Sequence, residues 1–274
     1  MNDYDLRKAQ LLQLKIAMEI KKICDDHSIS YFFIAGTLLG AVRHRGFIPW
    51  DDDLDIGMLR PDYERFLKVC KKNLGKQFFL QNWDTDRHYG LPFSKIRLNG
   101  THYVERNAAK VQAHDGIYVD IFPFDNVPDD KKLQVKQNRI TYLLKRLILI
   151  KNGYQSWEKK EISKKLIYRI AKIFSLPFSI KSLQNMLTKE MLRYNECETI
   201  KIVTFGGAYG YTKESIERKW VSQLTVLDFE NSLFSVPGDY KEYLSYFYGD
   251  YMQLPPEDKR GNRHNIQKID FGEY

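Results

Sequence analysis

The stretch that most constrains this chain is Trp50-Asp51-Asp52-Asp53-Leu54-Asp55-Ile56-Gly57, four carboxylates threaded with strand-forming residues. The chain becomes extended at residues 53–56. In a strand, residues two apart share a face. Asp51, Asp53 and Asp55 are therefore expected to point one way, with Leu54 and Ile56 facing a core. Clustered carboxylates repel each other, and a fold tolerates them mainly when positive charge sits among them. All-oxygen sites suit Mg²⁺ or Mn²⁺ rather than Zn²⁺. The plain alternative is a solvated acidic turn, which has no need of strand residues between its acids. Upstream, residues 31–35 form a bulky apolar run that predicts a buried strand. Gly36 and Thr37 break it, and residues 38–42 predict the start of a short helix. Backbone N–H groups at a helix start bind anions, so Gly36 and Thr37 are candidate phosphate contacts beside a metal.

The 274 residues suffice for one large domain, or a domain with an insert. A formal charge of +8 suits anionic partners such as nucleotide, phosphorylated glycan, anionic lipid or nucleic acid, without choosing among them. No apolar run reaches the roughly 18 residues that cross a bilayer. The polar, acidic N-terminus argues against a secretory signal, and scattered Cys24, Cys70 and Cys197 read as reduced core thiols. The expected compartment is cytoplasmic, with the inner face of the plasma membrane as a peripheral location.

The motif Gly36-Thr37-Leu38-Leu39-Gly40-Ala41-Val42-Arg43-His44, followed by Gly46-Phe47-Ile48-Pro49-Trp50-Asp51-Asp52-Asp53-Leu54-Asp55-Ile56, resembles the signature of the LicD family. Its members are phosphocholine transferases, and the fukutin-related phosphosugar transferases are similar in this region. The resemblance extends to the nucleotidyltransferase superfamily, where a Gly-[Ser/Thr] turn precedes an Asp-x-Asp strand and a later strand supplies a third Asp. It implies an α+β fold, a nucleotidyltransferase-like mixed sheet flanked by helices with a basic helical insertion.

Residues 5–26 predict an amphipathic helix, and 61–74 a second that Gly75 stops. Residues 78–81 and 93–98 predict strands. In the second, Lys95 and Arg97 share a face, read either as a nucleotide-phosphate contact or as an exposed polar face. In the strand around Ile117-Tyr118-Val119-Asp120-Ile121-Phe122, Asp120 is a lone carboxylate in an apolar run, where an unpaired charge is costly to bury. It is either salt-bridged or, as the similar LicD segment Gly-x-x-Val-Asp-Ile-Phe-Pro implies, the third metal ligand. Asp125 reads as a turn residue. Residues 129–195 are basic amphipathic helix, broken near Asn152-Gly153 and at Pro177, and suit either an anionic membrane surface or a packed helical subdomain. Residues 200–205 predict a strand and 206–211 a glycine-rich loop without Walker spacing. Thr212 to Ser215 can cap a helix. The ending Tyr248-Gly249-Asp250-Tyr251-Met252, with Leu254-Pro255-Pro256-Glu257 and Arg260, also resembles LicD. These segments divide the chain into a core (1–128), an insertion (129–195) and a part completing the core and substrate site (196–274).

The resemblance implies that Asp53, Asp55 and Asp120 hold Mg²⁺ (or Mn²⁺), with Asp51 or Asp52 as general base. Gly36, Thr37, Arg43, Lys95, Lys213, Arg260 and His264 are the candidate donor and phosphate contacts; His44 reads as structural. A CDP-alcohol donor and a lipid-linked glycan acceptor, of teichoic acid or lipopolysaccharide type, are the expected partners. Peripheral membrane contact runs through the basic helices, and no nucleic acid is expected. Transfer of ribitol phosphate is the alternative within the class. A catalytically silent nucleic-acid or membrane-binding module is the alternative outside it. Trp50, Tyr89, Tyr118, Tyr209 and Tyr211 are possible faces for a quaternary ammonium.

Overall fold

The computed structural model describes residues 2–155, 177–261 and 265–274. Helix α1 (Asp3–Asp26) opens on an Asn2 cap and buries Leu6, Ala9, Ile16, Ile20 and Ile23, the apolar positions of its three- and four-residue spacing. After it come β1 (Phe32–Phe33), α2 (Ala35–His44), β2 (Asp55–Leu59) and α3 (Arg60–Asn73), whose Pro61 lies in the first turn. Strands β3 (Phe78–Gln81), β4 (Ser94–Leu98), β5 (His102–Glu105) and β6 (Tyr118–Val127) complete the first half. The second half holds α4 (Lys131–Lys151), α5 (Ile180–Met191), β7 (Lys201–Val203), α6 (Tyr211–Glu214) and β8 (Ser215–Glu217). Strands β9 (Leu224–Phe229) and β10 (Ser232–Pro237), helix α7 (Tyr240–Tyr248) and β11 (Ile266–Asp270) follow.

The architecture is α+β. The main sheet runs β1-β2-β6-β4-β3, with β7 and β8 continuing from the far end of β6. Its strands pair antiparallel except β2 and β6, which are parallel. Strand alternation splits the sheet into two faces. Ile56, Met58, Val119, Ile121, Ile96 and Leu98 are buried on the face toward α1 and α3. The other carries Asp55, Asp120, Lys95 and Arg97.

Strand β6 does two jobs. Its first half pairs with β4 (Tyr118 to Ile121) and its last residues with β7 (Asp125 to Val127). Asp120 N–H donates to Leu54 in the direction of β2, so by alternation the residue-123 nitrogen faces the other edge, in the gap between β4 and β7. That is where Pro123 can replace an N–H without losing a ladder bond. Asp125 is thus a strand residue and not a turn residue. It is fully buried, and Arg60 of α3 donates to both its oxygens at 2.7 and 2.6 Å.

Helices α4 and α5 share a second apolar cluster of Leu144, Leu147, Ile148, Leu183, Leu187 and Met191, which reaches the sheet through Val127, Val203 and Phe205. Residues 156–176 of the basic segment lie outside the described residues. Strand β11 pairs with β5, a contact no local pattern announces.

The acidic site and its family

Three segments bring the acids together. Ala35, with φ at 48°, makes the sharp turn from β1 into α2, so the helix begins at Ala35 and contains Gly36 and Thr37. Residues 38–42 continue that helix and do not start it. Thr37 Oγ1 accepts from Asp55 N–H at 2.8 Å, tying the helix start to the first residue of β2. Gly36 packs directly on the Asp51 carboxylate, close enough that a Cβ there would overlap it. The expected anion position at the helix start therefore has an acid of the chain itself beside it.

The strand carrying the acids is shorter than its alternation suggested. It begins at Asp55, so Asp51 and Asp53 are not on a continuous strand with it, because residues 49–54 form a turn and irregular chain. Asp51, Asp52 and Asp53 instead gather their carboxylates, with ligand atoms within 4.8 Å of one another. Gln13 and the Tyr103 hydroxyl fix this turn by donating to the Asp52 carbonyl at 2.9 and 3.0 Å. Asp55 and Asp120 are direct register partners on the parallel strands and therefore share a face. Asp53 also acts electrostatically on Asp120.

Asp120 is 6% exposed, and burial pushes its carboxyl up to about 6 against the pull of Lys95. Lys95, its cross-strand partner, is 2% exposed with Nζ 2.8 Å from Asp120 and 3.7 Å from Glu105. The exposed-face alternative for Lys95 and Arg97 is thus corrected. Both are buried beside the Tyr118 ring, with Lys95 Nζ 3.3 Å and the Arg97 guanidinium 4.8 Å from its centroid. Arg97 is held by Gln81 and the Gly116 carbonyl.

Glu105 joins this network through the Tyr118 hydroxyl at 2.7 Å. Sequence reasoning missed it, although alternation in His102-Tyr103-Val104-Glu105 offered a signal. Burial and the surrounding acids raise the Tyr103 and Tyr118 phenols.

The remaining candidates divide. Arg43 donates to the carbonyls of Tyr251 and Gln253 at 2.9 and 3.3 Å, pinning the C-terminal loop to α2. Arg260 lies over the Trp50 ring at 5.4 Å and donates to the Pro255 carbonyl. It is also close enough to Arg43 for their charges to oppose. His44 packs edge-on against Trp50. Lys213 is committed to α7, donating to the Tyr246 carbonyl and lying over the Tyr246 ring. His264 lies outside the described residues. Gly210, and not Thr212, caps α6.

The acids offer oxygen donors alone, Asp51, Asp52 and Asp53 gathered at the turn and Asp55 beside Asp120 on the parallel strands, and oxygen donors suit a hard divalent cation. Residues 28–146 match the family described as LicD/FKTN/FKRP, nucleotidyltransferase domain. The chain is 30% identical to the lipopolysaccharide cholinephosphotransferase LicD of Haemophilus influenzae, over 98% of each protein. It is also 36% identical to an uncharacterized protein of Rickettsia prowazekii, over 24% of this chain and 32% of that one. This chain belongs to the LicD family. No helix among the described residues is long and apolar enough to cross a membrane.

Proposed function

We propose that the chain transfers phosphocholine from CDP-choline to a hydroxyl of a lipopolysaccharide or teichoic acid precursor. The observation that carries the chemistry is the gathering of Asp51, Asp52 and Asp53 at one turn, just before the strand that sets Asp55 beside Asp120, with Asp53 acting electrostatically on Asp120. The cholinephosphotransferase named among its relatives supports the transferred group. Asp53, Asp55 and Asp120 would hold Mg²⁺ or Mn²⁺, which when bound neutralises charge on the diphosphate and the departing CMP.

The chain's own groups do the rest. Lys95 screens Asp120 from Glu105 and keeps positive charge under the site. Gly36 admits the Asp51 carboxylate beside the helix start, and Thr37 fixes the main chain of Asp55. The acceptor hydroxyl attacks the distal phosphorus in line. The new O–P bond forms as the bond to CMP breaks, and the hydroxyl proton passes to a carboxylate. Asp51 suits that base better than Asp52, which is 1% exposed. Arg43 and Arg260, on the Trp50 side, are proposed to meet donor phosphate.

Helix α4 supports peripheral membrane contact. It carries no acid, and Lys132, Lys136, Arg139 and Arg146 are exposed alongside Val135, Tyr142 and Leu143. Reversing these four charges should abolish co-sedimentation with anionic vesicles if this reading holds.

Calorimetry with CDP-choline, CDP-ribitol, CTP and CMP, with and without Mg²⁺, tests the reading on wild type and Asp53→Ala. Metal-dependent CDP-choline binding lost in the variant is expected. Preference for CDP-ribitol would keep the mechanism and change the substrate, whereas no metal-dependent nucleotide binding refutes the transferase reading.

A further inference from the structure

The segment 206–210 leaves β7 without regular structure of its own, yet it is held from both sides. At its root, Gly206 is packed on Phe93 and Phe122, and a Cβ there would overlap the Phe93 ring. Those two rings lie 4.3 Å apart, and Lys95 Nζ is 5.6 Å from the Phe93 centroid. The loop therefore starts on the polar face that holds Asp120. At its tip, Tyr209 is 40% exposed, and its ring lies 5.6 Å from Phe247 and 6.4 Å from Tyr248. Tyr248 is in turn within electrostatic reach of Asp51, and buried Tyr243 within reach of both Glu214 and Asp55. The loop thus runs from the polar face of the sheet to the aromatic cluster of α7, which is within electrostatic reach of the acids.

Two buried ionisable groups fix it. Glu214, 7% exposed, accepts from Tyr209 N–H at 3.0 Å, and Gly207 packs so closely on its carboxylate that a Cβ there would have to displace it. Lys145 reaches out of α4 to donate to the Phe205 carbonyl at 2.5 Å and acts electrostatically on Glu214. Burial raises the Glu214 carboxyl to about 7 and lowers the Lys145 ammonium to about 8, each opposed by the other. Buried charges contribute little net stability. Their clearest effect here is to fix one conformation of a glycine-rich segment.

We propose that Glu214 and Lys145 are positioning residues that hold the 206–210 loop as a wall of the donor site, with the Tyr209 ring toward the cationic end of the transferred headgroup. This rests on the reading of the acids as a phosphocholine-transfer site. An aromatic face near carboxylates suits a quaternary ammonium, which it attracts without a hydrogen bond.

The test uses the full chain with Glu214→Ala, Glu214→Gln, Lys145→Met and Tyr209→Ala, read by steady-state kinetics and by chymotrypsin cleavage mapped at Tyr209 and Tyr211. Glu214→Ala should raise KM for CDP-choline by about fivefold or more, the scale of one lost hydrogen bond, with kcat within about twofold. It should also speed cleavage at the loop. Glu214→Gln, which keeps an acceptor for the Tyr209 N–H, should restore both, and Lys145→Met should follow Glu214→Ala. Tyr209→Ala should raise KM for CDP-choline but not for CDP-glycerol, whose headgroup carries no cation. Unchanged KM and unchanged cleavage in Glu214→Ala overturn the proposal, as does a kcat loss with the loop still protected. If wild type binds no CDP-choline, the transferase reading fails, while the cleavage rates still decide whether Glu214 and Lys145 hold the loop.

Discussion

Lys95→Met gives the sharpest test of how the acids are held. The ammonium is almost fully buried, lies 2.8 Å from Asp120 and 3.7 Å from Glu105, and covers the Tyr118 ring. Methionine keeps most of the stem and removes only the charge, so the cost is electrostatic and not a cavity. Deleting one partner of a buried ion pair costs roughly 3–5 kcal/mol, because the other charge is left uncompensated. Here two carboxylates lose their common cation, which places the expected loss toward the upper part of that range. Urea unfolding in metal-free buffer at neutral pH, extrapolated to water, measures it. In an Asp120→Asn background the same substitution should cost far less. The double-mutant coupling should then reach about 2 kcal/mol or more, at the upper end of what contacting residues show. A loss below about 1 kcal/mol, or strict additivity of the two substitutions, would refute the reasoning and mean that solvent reaches the pair.

Gly36→Ala must displace the Asp51 carboxylate. It should cost about tenfold or more in kcat/KM, as misplaced catalytic groups do, while the melting temperature moves little. Unchanged activity would remove Asp51 from the site. Asp125→Ala strands the Arg60 guanidinium, which is bonded twice to Asp125. It should destabilise by roughly 3–5 kcal/mol in denaturant, and a loss near zero would show that water replaces the carboxylate. Glu214 has a folded-state value of about 7 against an ordinary 4.5, so its contribution is present below pH 4.5 and lost as pH rises through about 7. Relative to wild type, Glu214→Gln should therefore gain up to roughly 3 kcal/mol between pH 4.5 and 8, and a pH-independent difference contradicts this.

Period and punctuation made much of this fold legible. Helix α1 and strands β3 and β4 follow from spacing that burial enforces locally, and Pro61 marks the start of α3. The site was legible by residue type but less so by geometry. The Asp run announced itself, yet its turn is shaped by Gln13 and Tyr103, which are remote in sequence. Alternation alone could not show that β2 starts only at Asp55. Of the two readings open for Lys95 and Arg97, a phosphate contact or an exposed polar face, the second rested on a charged strand face ordinarily meeting solvent. Here Tyr118 and Glu105 cover that face, and Glu105 arrives on β5, whose partner β11 lies at the far end of the chain. Asp125 read as a turn because Pro123 precedes it, and only the gap between β4 and β7 explains a strand running through that proline.

Val127 and Lys201 stand opposite each other as rungs of one ladder. The chain thus leaves the sheet after Val127 and rejoins it on the adjoining strand at Lys201. Closing a longer or shorter excursion between fixed ends changes the free energy only logarithmically with its length. Such a segment behaves as a cassette. Its length and exposed surface chemistry can be exchanged while the strand order stays, provided the apolar cluster it shares with Val127, Val203 and Phe205 is kept. From within that cassette Lys145 reaches back to the Phe205 carbonyl, Gln137 accepts from the Tyr211 hydroxyl, and Asn195 bonds both Asp125 and the Asn126 N–H, so a transplanted cassette would have to supply those contacts.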